Sequence, residues 1–100
     1  MNILIIEDEK ILSNTIKDIL KRDYEIDQAF DGKEGELYAK QDIYDVIILD
    51  LMLPFKNGYE ILEEIRREGI MTPVLILTAK DSLDDKLNIP ETRSCKLFLL

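Results

Sequence analysis

The chain alternates short apolar runs with segments whose apolar residues recur at helical spacing. Three runs, Asn2 to Ile6, Tyr44 to Leu49 and Val74 to Leu77, are apolar almost throughout and predict strands that are buried on both faces. A weaker run, Tyr24 to Ala29, predicts a further strand. Each of the three strong runs stops abruptly at a polar residue, so the ends of these strands are where polar chemistry is expected.

The segments between the runs predict helices. In the first segment six positions form a single amphipathic stripe: Ile11, Leu12, Thr15, Ile16, Ile19 and Leu20. A short helix is predicted from Glu34 to Lys40, and another is indicated by the apolar spacing from Tyr59 to Ile65, with Gly69 as its cap. Asp81 to Leu87 predicts one more helix, with Ser82 as its N-cap.

Strands that alternate with helices predict an α/β fold, a doubly wound parallel sheet with helices on both faces. In such sheets ligands bind at the carboxyl ends of the strands, close to the point where the strand order reverses. The residues at those ends are Glu7, Asp8, Asp50 and Thr78. The sequence therefore predicts a functional site at this edge of the sheet.

Composition narrows the class of protein. Apolar residues make up 46% of the 100 residues, which predicts one domain with a core. The net charge of −8 disfavours binding to nucleic acids and membranes and suits a chain that gathers cations, although a well-solvated surface explains the same charge. No apolar run approaches the roughly 20 residues of a membrane span. The first residues lack the basic region of a signal peptide. Cys95 is the single cysteine, so no disulfide framework is expected. We therefore expect a cytoplasmic protein without a membrane partner.

The acids at the strand ends suggest metal-dependent chemistry. Carboxylates crowded at two neighbouring strand ends raise each other's pKa and are costly unless a cation joins them. Oxygen ligands that are open to solvent suit Mg²⁺, which keeps several waters and often bridges to phosphate. Asp50 is then both a metal ligand and a nucleophile that takes a phosphoryl group as an acyl phosphate. The hydroxyl of Thr78 would bind a phosphate oxygen.

Each of these residues also has a purely structural explanation. The acids after the first strand can simply end it, Asp50 can be a loop residue, and Thr78 can cap a helix. Three such features at strand ends favour a site over these alternatives. Asn57-Gly58, in contrast, is interpreted as turn chemistry rather than catalysis.

Four segments together resemble the receiver domain of two-component response regulators. They are Ile5-Ile6-Glu7-Asp8-Glu9, Ile48-Leu49-Asp50-Leu51-Met52-Leu53-Pro54, Asn57-Gly58 and Leu77-Thr78-Ala79-Lys80. The resemblance extends from Met1 to about Leu87, and its part from Leu53 to Ser82 is most similar to the OmpR/PhoB subfamily, whose receivers precede a winged-helix DNA-binding domain. It implies a five-stranded parallel sheet in the order 2-1-3-4-5, with five helices.

The resemblance also implies roles for individual residues. Asp50 is the phosphoacceptor, Asp8 is a Mg²⁺ ligand and Glu7 is the outer acidic partner. Met52 offers its backbone carbonyl to the metal, and Thr78 is the phosphoryl-binding switch residue. A sensor histidine kinase donates the phosphoryl group, and DNA is reached only through an effector domain outside this chain. The chain is then a signalling domain rather than an enzyme, and it catalyses at most its own phosphotransfer and autodephosphorylation.

The C-terminal part departs from the family pattern. The family's fifth strand ends in a lysine that pairs with the phosphoryl group as a point charge. Lys96 is the only candidate here, but it comes early and lacks the proline that follows the family's lysine, so coincidence is the favoured explanation. We divide the chain into a receiver core, residues 1–87, and a divergent or frameshifted tail, residues 88–100. Glu91 to Phe98 can be encoded by a DNA sequence that, translated one base later, gives Leu-Gly-Ala-x-x-Tyr, a segment typical of the family. A shifted reading frame would therefore explain the tail. The alternative is natural divergence, in which the tail forms an improvised fifth strand.

Two other functions compete with phosphotransfer signalling. A Mg²⁺-dependent phosphohydrolase of the haloacid-dehalogenase type also forms an aspartyl phosphate, but it needs a second aspartate where this chain has Met52. A protein–protein interaction fragment that is incompetent for phosphorylation is the second alternative, and the missing lysine favours it.

The tail also leads to an expectation about assembly. Without a normal fifth strand and fifth helix, the strand from Val74 to Leu77 has an open edge unless the apolar tail, Leu97 to Leu100, pairs with it. The tail can cover this edge in its own molecule or in a neighbour by exchange. We expect a homodimer or larger assembly through residues 83–100.

Overall fold

The described strands form one parallel sheet of five strands. A computed structural model describes residues 1–78 and 95–99, with Thr78 and 95–99 described by their backbone only. The strands are β1 (Asn2–Ile6), β2 (Glu25–Ala29), β3 (Val46–Asp50), β4 (Val74–Thr78) and β5 (Cys95–Leu99). The described helices are α1 (Lys10–Leu20), α2 (Gly32–Ala39) and α3 (Gly58–Arg67). The order of the strands in the sheet is β2-β1-β3-β4-β5, so the predicted α/β fold and its strand order are confirmed.

The sheet is covered on both faces, which explains why its central strands are apolar on both sides. On one face, Leu4, Ile47 and Val74 pack under the buried residues of α2 and α3. On the other face a smaller cluster packs against Ile16 and Leu20 of α1, and its buried members are Ile3, Ile5, Ile48 and Leu77. Removing these side chains from water on both faces stabilises the central strands and fixes where they end.

Helix α1 departs from the predicted stripe. Leu12, Ile16 and Leu20 are half-buried, but Ile11 and Ile19 are 79% and 70% exposed. The fully buried position is Ser13, whose hydroxyl oxygen accepts a hydrogen bond of 2.9 Å from the side-chain amide of Gln28. The prediction of one apolar stripe is therefore wrong on its outer side, because α1 presents Ser13, rather than Ile11 or Ile19, to the sheet.

The other described helices have local signals at their ends. Asp31 caps α2 by accepting a hydrogen bond of 2.8 Å from the Glu34 amide, so the helix begins at Gly32 rather than Glu34. Asn57 forms a capping box at the start of α3, which confirms its structural interpretation. Gly69 ends α3 in the left-handed conformation, with φ of +83°, and its predicted cap is confirmed.

Strand β5 lies at the edge of the sheet beside β4. The pairing runs from Val74 with Cys95 to Thr78 with Leu99, so β5 rather than β4 forms this edge. The predicted helix from Asp81 to Leu87, with its cap Ser82, lies outside the described residues, as do residues 88–94 of the tail. In the part of the chain that the structure describes, no helix has the length and apolar character of a membrane span.

Candidate functional site

The sheet brings three acids together at its carboxyl edge. Strands β1 and β3 are neighbours, and Ile6 pairs with Leu49, so the residues that follow β1 lie beside the end of β3. One carboxylate oxygen from each of Glu7, Asp8 and Asp50 lies within 4.8 Å of the others. We call these three residues the acidic edge.

Glu7 is turned into the protein, with only 2% of its surface exposed. The Glu9 amide donates a hydrogen bond of 3.0 Å to its Oε2 atom, which favours the ionised form. Burial outweighs that bond and, together with the charge of Asp50, raises the pKa of Glu7 to about 8. Glu7 therefore holds a proton at neutral pH when no cation is bound.

Asp50 ends β3 and is 9% exposed. The Met52 amide donates a hydrogen bond of 3.0 Å to its Oδ1 atom. Burial raises the pKa of Asp50 even though this hydrogen bond and one from Glu7 favour the ionised form. The pKa of both carboxyl groups is thus raised, chiefly by burial.

The acidic edge fits a hard divalent cation. Among residues 1–77, no lysine or arginine forms an ion pair with its three acids. Two of the acids are buried, whereas Asp8 is exposed. An ion bound here would therefore contact protein carboxylates on one side and water on the other. Oxygen ligands with room for water are the set that Mg²⁺ prefers.

Of the other predicted site residues, Met52 and Thr78 lie near this edge and Lys96 does not. Met52 follows Asp50 closely, with its side chain 65% exposed. Thr78 ends β4 directly after Leu77, the residue that pairs with Asp50. The structure describes only the backbone of Thr78, so the predicted role of its hydroxyl stays a prediction. Lys96 pairs with Leu75 in the first half of β5, away from the carboxyl edge. This register does not favour Lys96 as the partner of a phosphoryl group, and its role stays a prediction.

The loop after Asp50, residues 51–57, is held at several points. At its base the Gly58 amide donates a hydrogen bond of 3.0 Å to the Leu51 carbonyl, and in its middle the Gly32 amide donates one of 3.0 Å to the Pro54 carbonyl. The Lys56 ammonium forms an ion pair with Glu36 of α2. Sequence reasoning did not find this pair, because a contact between a loop and a helix distant along the chain leaves no periodic signal.

Known proteins share this fold and much of this sequence. The family of response regulator receiver domains matches residues 3–93. The transcriptional regulatory protein CiaR of Streptococcus pneumoniae (strain ATCC BAA-255 / R6) is 54% identical over 86 residues, which cover 86% of this chain and 38% of CiaR. The response regulator ArlR of Staphylococcus aureus (strain Mu50 / ATCC 700699) is 43% identical over 86 residues, covering 85% of this chain and 39% of ArlR. The chain thus spans about two fifths of the length of these relatives.

Among solved structures, a receiver domain with a bound metal is similar throughout the chain. It is the receiver domain of the sensor histidine kinase PA1611 from Pseudomonas aeruginosa PAO1, with a magnesium ion coordinated in the active site cleft. It is 28% identical, with a TM-score of 0.85 over 98% of this chain and 83% of that chain.

Proposed function

This chain belongs to the response regulator receiver family, and from that membership we propose that it accepts a phosphoryl group on Asp50 with the help of Mg²⁺ at the acidic edge. The observation that carries the proposal is the set of three carboxylates within 4.8 Å of one another, two of them buried, with no described lysine or arginine to neutralise them. Such an arrangement is costly without a cation. It becomes favourable when a divalent ion and the phosphoryl oxygens share the site.

Each acid has a separate task in this proposal. An Oδ atom of Asp50 attacks phosphorus and forms an acyl phosphate, while the bond from phosphorus to the donor breaks and its electron pair leaves with the donor. Asp8, Asp50 and the Met52 carbonyl would hold Mg²⁺, and Glu7 would support it from the outer shell. The bound ion would neutralise charge on the phosphoryl oxygens. The Thr78 hydroxyl would bind one of those oxygens.

Phosphorylation by a small donor tests the proposal. With acetyl phosphate and Mg²⁺ we expect intact-mass measurement to show one added phosphoryl group that is stable in acid and labile in base. Asp50→Asn should abolish it. Asp45→Asn makes the same change at the opposite end of the sheet, where Asp45 accepts a hydrogen bond of 2.8 Å from the Asn2 amide, and should leave incorporation intact.

The outcome also separates the alternatives. An interaction fragment without phosphotransfer would show no incorporation in the parent protein, which would refute the proposal. A phosphohydrolase would hydrolyse phosphate monoesters over many turnovers, whereas a receiver domain releases only the phosphoryl group that it has taken up from an activated donor. Met52 stands where that class of enzyme needs its second acid, so we expect no such turnover.

We expect incorporation to be slow and its coupling to conformation to be poor. Strand β5 ends at Leu99, and Lys96 lies in its first half, so no lysine stands at the end of this strand. Lys96→Ala should therefore leave the rate unchanged. A large loss of rate in this variant would show that Lys96 supplies the missing charge after all.

The partners follow from the family rather than from contacts in this chain. We infer that a sensor histidine kinase donates the phosphoryl group in the cytoplasm and that DNA is reached only through an effector domain. The names of the relatives, a transcriptional regulatory protein and a response regulator, support this inference. Kinase phosphorylated with radioactive phosphate should lose its label to the parent chain but not to Asp50→Asn.

We also propose a homodimer or larger assembly through residues 83–100. Strand β5 is the edge of the described sheet, and an edge strand presents unpaired amide and carbonyl groups to other chains. Light scattering should give a mass above that of one chain. A clean monomer at high concentration would contradict this and would mean that the tail completes the fold within its own molecule.

A further inference from the structure

We propose that Lys56 is a positioning residue for the magnesium site: its ion pair with Glu36 anchors the loop of residues 51–57 to α2 and so holds Met52 against Asp50. This inference rests on the proposed function, because it concerns the residues that would bind the metal. It assigns a task to a side chain that the phosphoacceptor chemistry does not use.

The loop reaches α2 through its backbone as well as through Lys56. The Pro54 carbonyl accepts hydrogen bonds from the Gly32 amide at 3.0 Å and from the Lys56 amide at 2.8 Å. A Cβ atom at Gly32 would overlap the Lys56 carbonyl oxygen. The backbones of α2 and the loop are therefore in direct contact, and the side chain of Lys56 lies where it can secure that contact.

The ion pair is partly shielded from water, so solvent screens it less than an ordinary surface pair. The exposed fractions of the two side chains are 26% for Lys56 and 19% for Glu36. Burial opposes ionisation of Glu36, yet the hydrogen bond and charge of Lys56, followed by the charge of Lys40, hold the pKa of Glu36 below its usual value. Glu36 is thus a charged anchor on α2.

The backbone of the loop shows that it needs such an anchor. Phe55, next to Lys56, has φ of +69° and is 82% exposed. The left-handed conformation is unfavourable for a side chain of this size and persists only where surrounding contacts impose it. The ring itself is exposed, so other contacts of the loop hold this conformation, and those of Pro54 and Lys56 with α2 lie next to it along the chain.

Loss of the ion pair between Lys56 and Glu36 should change the orientation of the Asp50 carboxylate. The loop delivers the Met52 amide to Asp50 Oδ1 at 3.0 Å, and this bond fixes the orientation of the carboxylate. Groups that orient metal ligands typically contribute about ten- to a hundredfold to metal affinity. Because Lys56 acts through the loop, we expect an effect at the lower end of that range.

Calorimetric titration of the full chain with Mg²⁺ tests the proposal with matched variants. Lys56→Met keeps the aliphatic stem and removes the charge, and we expect it to weaken Mg²⁺ binding about tenfold. Lys56→Arg should restore most of the affinity. Lys40→Met is the control, because Lys40 also pairs with Glu36, at 3.6 Å, but caps the C-terminal end of α2 and does not belong to the loop. The Mg²⁺ affinity of this variant should stay within about twofold of the parent.

A second measurement separates this inference from the proposed function. In the metal-free protein, the amide proton resonance of Met52 should shift in Lys56→Met and return in Lys56→Arg. Mg²⁺ affinity and a Met52 resonance that both match the parent in Lys56→Met would overturn the positioning role. If the parent itself bound no Mg²⁺, the proposed function would fail, and the Met52 resonance alone would decide whether Lys56 holds the loop.

Discussion

Two groups of carboxylates in this domain have pKa values that are shifted in opposite directions. The acidic edge has no described lysine or arginine paired with it, and burial raises the pKa of both Glu7 and Asp50. The second group lies between α2 and α3 and contains two lysines; we call it the α2–α3 cluster. Its members are Glu36, Lys40, Lys56, Glu64 and Glu68.

Proximity of cations explains the difference. The Lys40 ammonium lies 2.8 Å from an oxygen of Glu68 and 3.5 Å from one of Glu64. In this cluster the pKa of Glu36 is lowered although its side chain is only 19% exposed. Partial burial therefore does not by itself keep a carboxyl group protonated in this protein. The acidic edge differs because its counter-charge is missing from the described chain, and this is the place that a metal ion would take.

The pH dependence of stability is the strongest way to test this comparison. The pKa of Glu7 is about 8 in the folded state, against an ordinary value of 4.5, so the folded state keeps a proton that the unfolded state has lost. The free energy of unfolding should therefore fall as pH rises from about 4.5 to about 8, by an amount on the order of a few kcal/mol. Urea denaturation of the metal-free protein across this window measures the fall.

Two controls isolate Glu7 in that experiment. Glu7→Gln cannot lose a proton, so its stability should decline less over the same window. Millimolar Mg²⁺ should also reduce the decline in the parent, because the ion replaces the proton. A pH profile of Glu7→Gln that matches the parent would show that the buried acid does not hold this proton.

Removing an acid from each group should separate metal binding from ordinary ion pairing. Asp8→Ala should weaken Mg²⁺ binding by at least about tenfold, since a direct ligand should matter no less than the groups that orient it. Glu64→Gln removes an acid of the α2–α3 cluster and should leave the affinity unchanged. Equal Mg²⁺ affinity in Asp8→Ala and the parent would remove Asp8 from the site.

The smallest expected effect comes from removing a cation of the α2–α3 cluster. In Lys40→Met the pKa of Glu36 should rise towards its ordinary value, because Lys40 contributes to holding it down. Lys56 remains as a neighbour, so the rise should be partial. Titration of the Glu36 side-chain carbon resonance measures it, and an unchanged pKa would mean that Lys56 alone sets the ionisation of Glu36.

The central strands and the positions of the acids were predictable from the sequence because they depend on local pattern. A strand that is apolar on both faces is recognisable as a run, and Asp50 stands where such a run ends. The structure brings Glu7, Asp8 and Asp50 together as the parallel topology requires. Their roles in phosphotransfer stay predictions until the substitutions are made.

Contacts between distant segments could not be predicted in this way. Ile11 and Ile19 have the spacing of buried residues, but another side of α1 faces inward, where Ser13 is buried and contacts Gln28. The pairing of Lys56 with Glu36 likewise depends on how the loop folds over α2. Patterns within one segment carry no information about which partner a neighbouring segment will present.

The hydrogen bond from Gly32 to Pro54 gives the domain a built-in reporter of loop motion. First-turn amides of a helix lack carbonyl partners within that helix and ordinarily exchange their hydrogen with solvent quickly. The Gly32 amide instead bonds to a carbonyl of the loop that follows Asp50, at 3.0 Å. Its protection from exchange therefore measures the equilibrium between the closed and open loop rather than the unwinding of α2. One backbone site can thus report the open population of the loop without any label attached near Asp50.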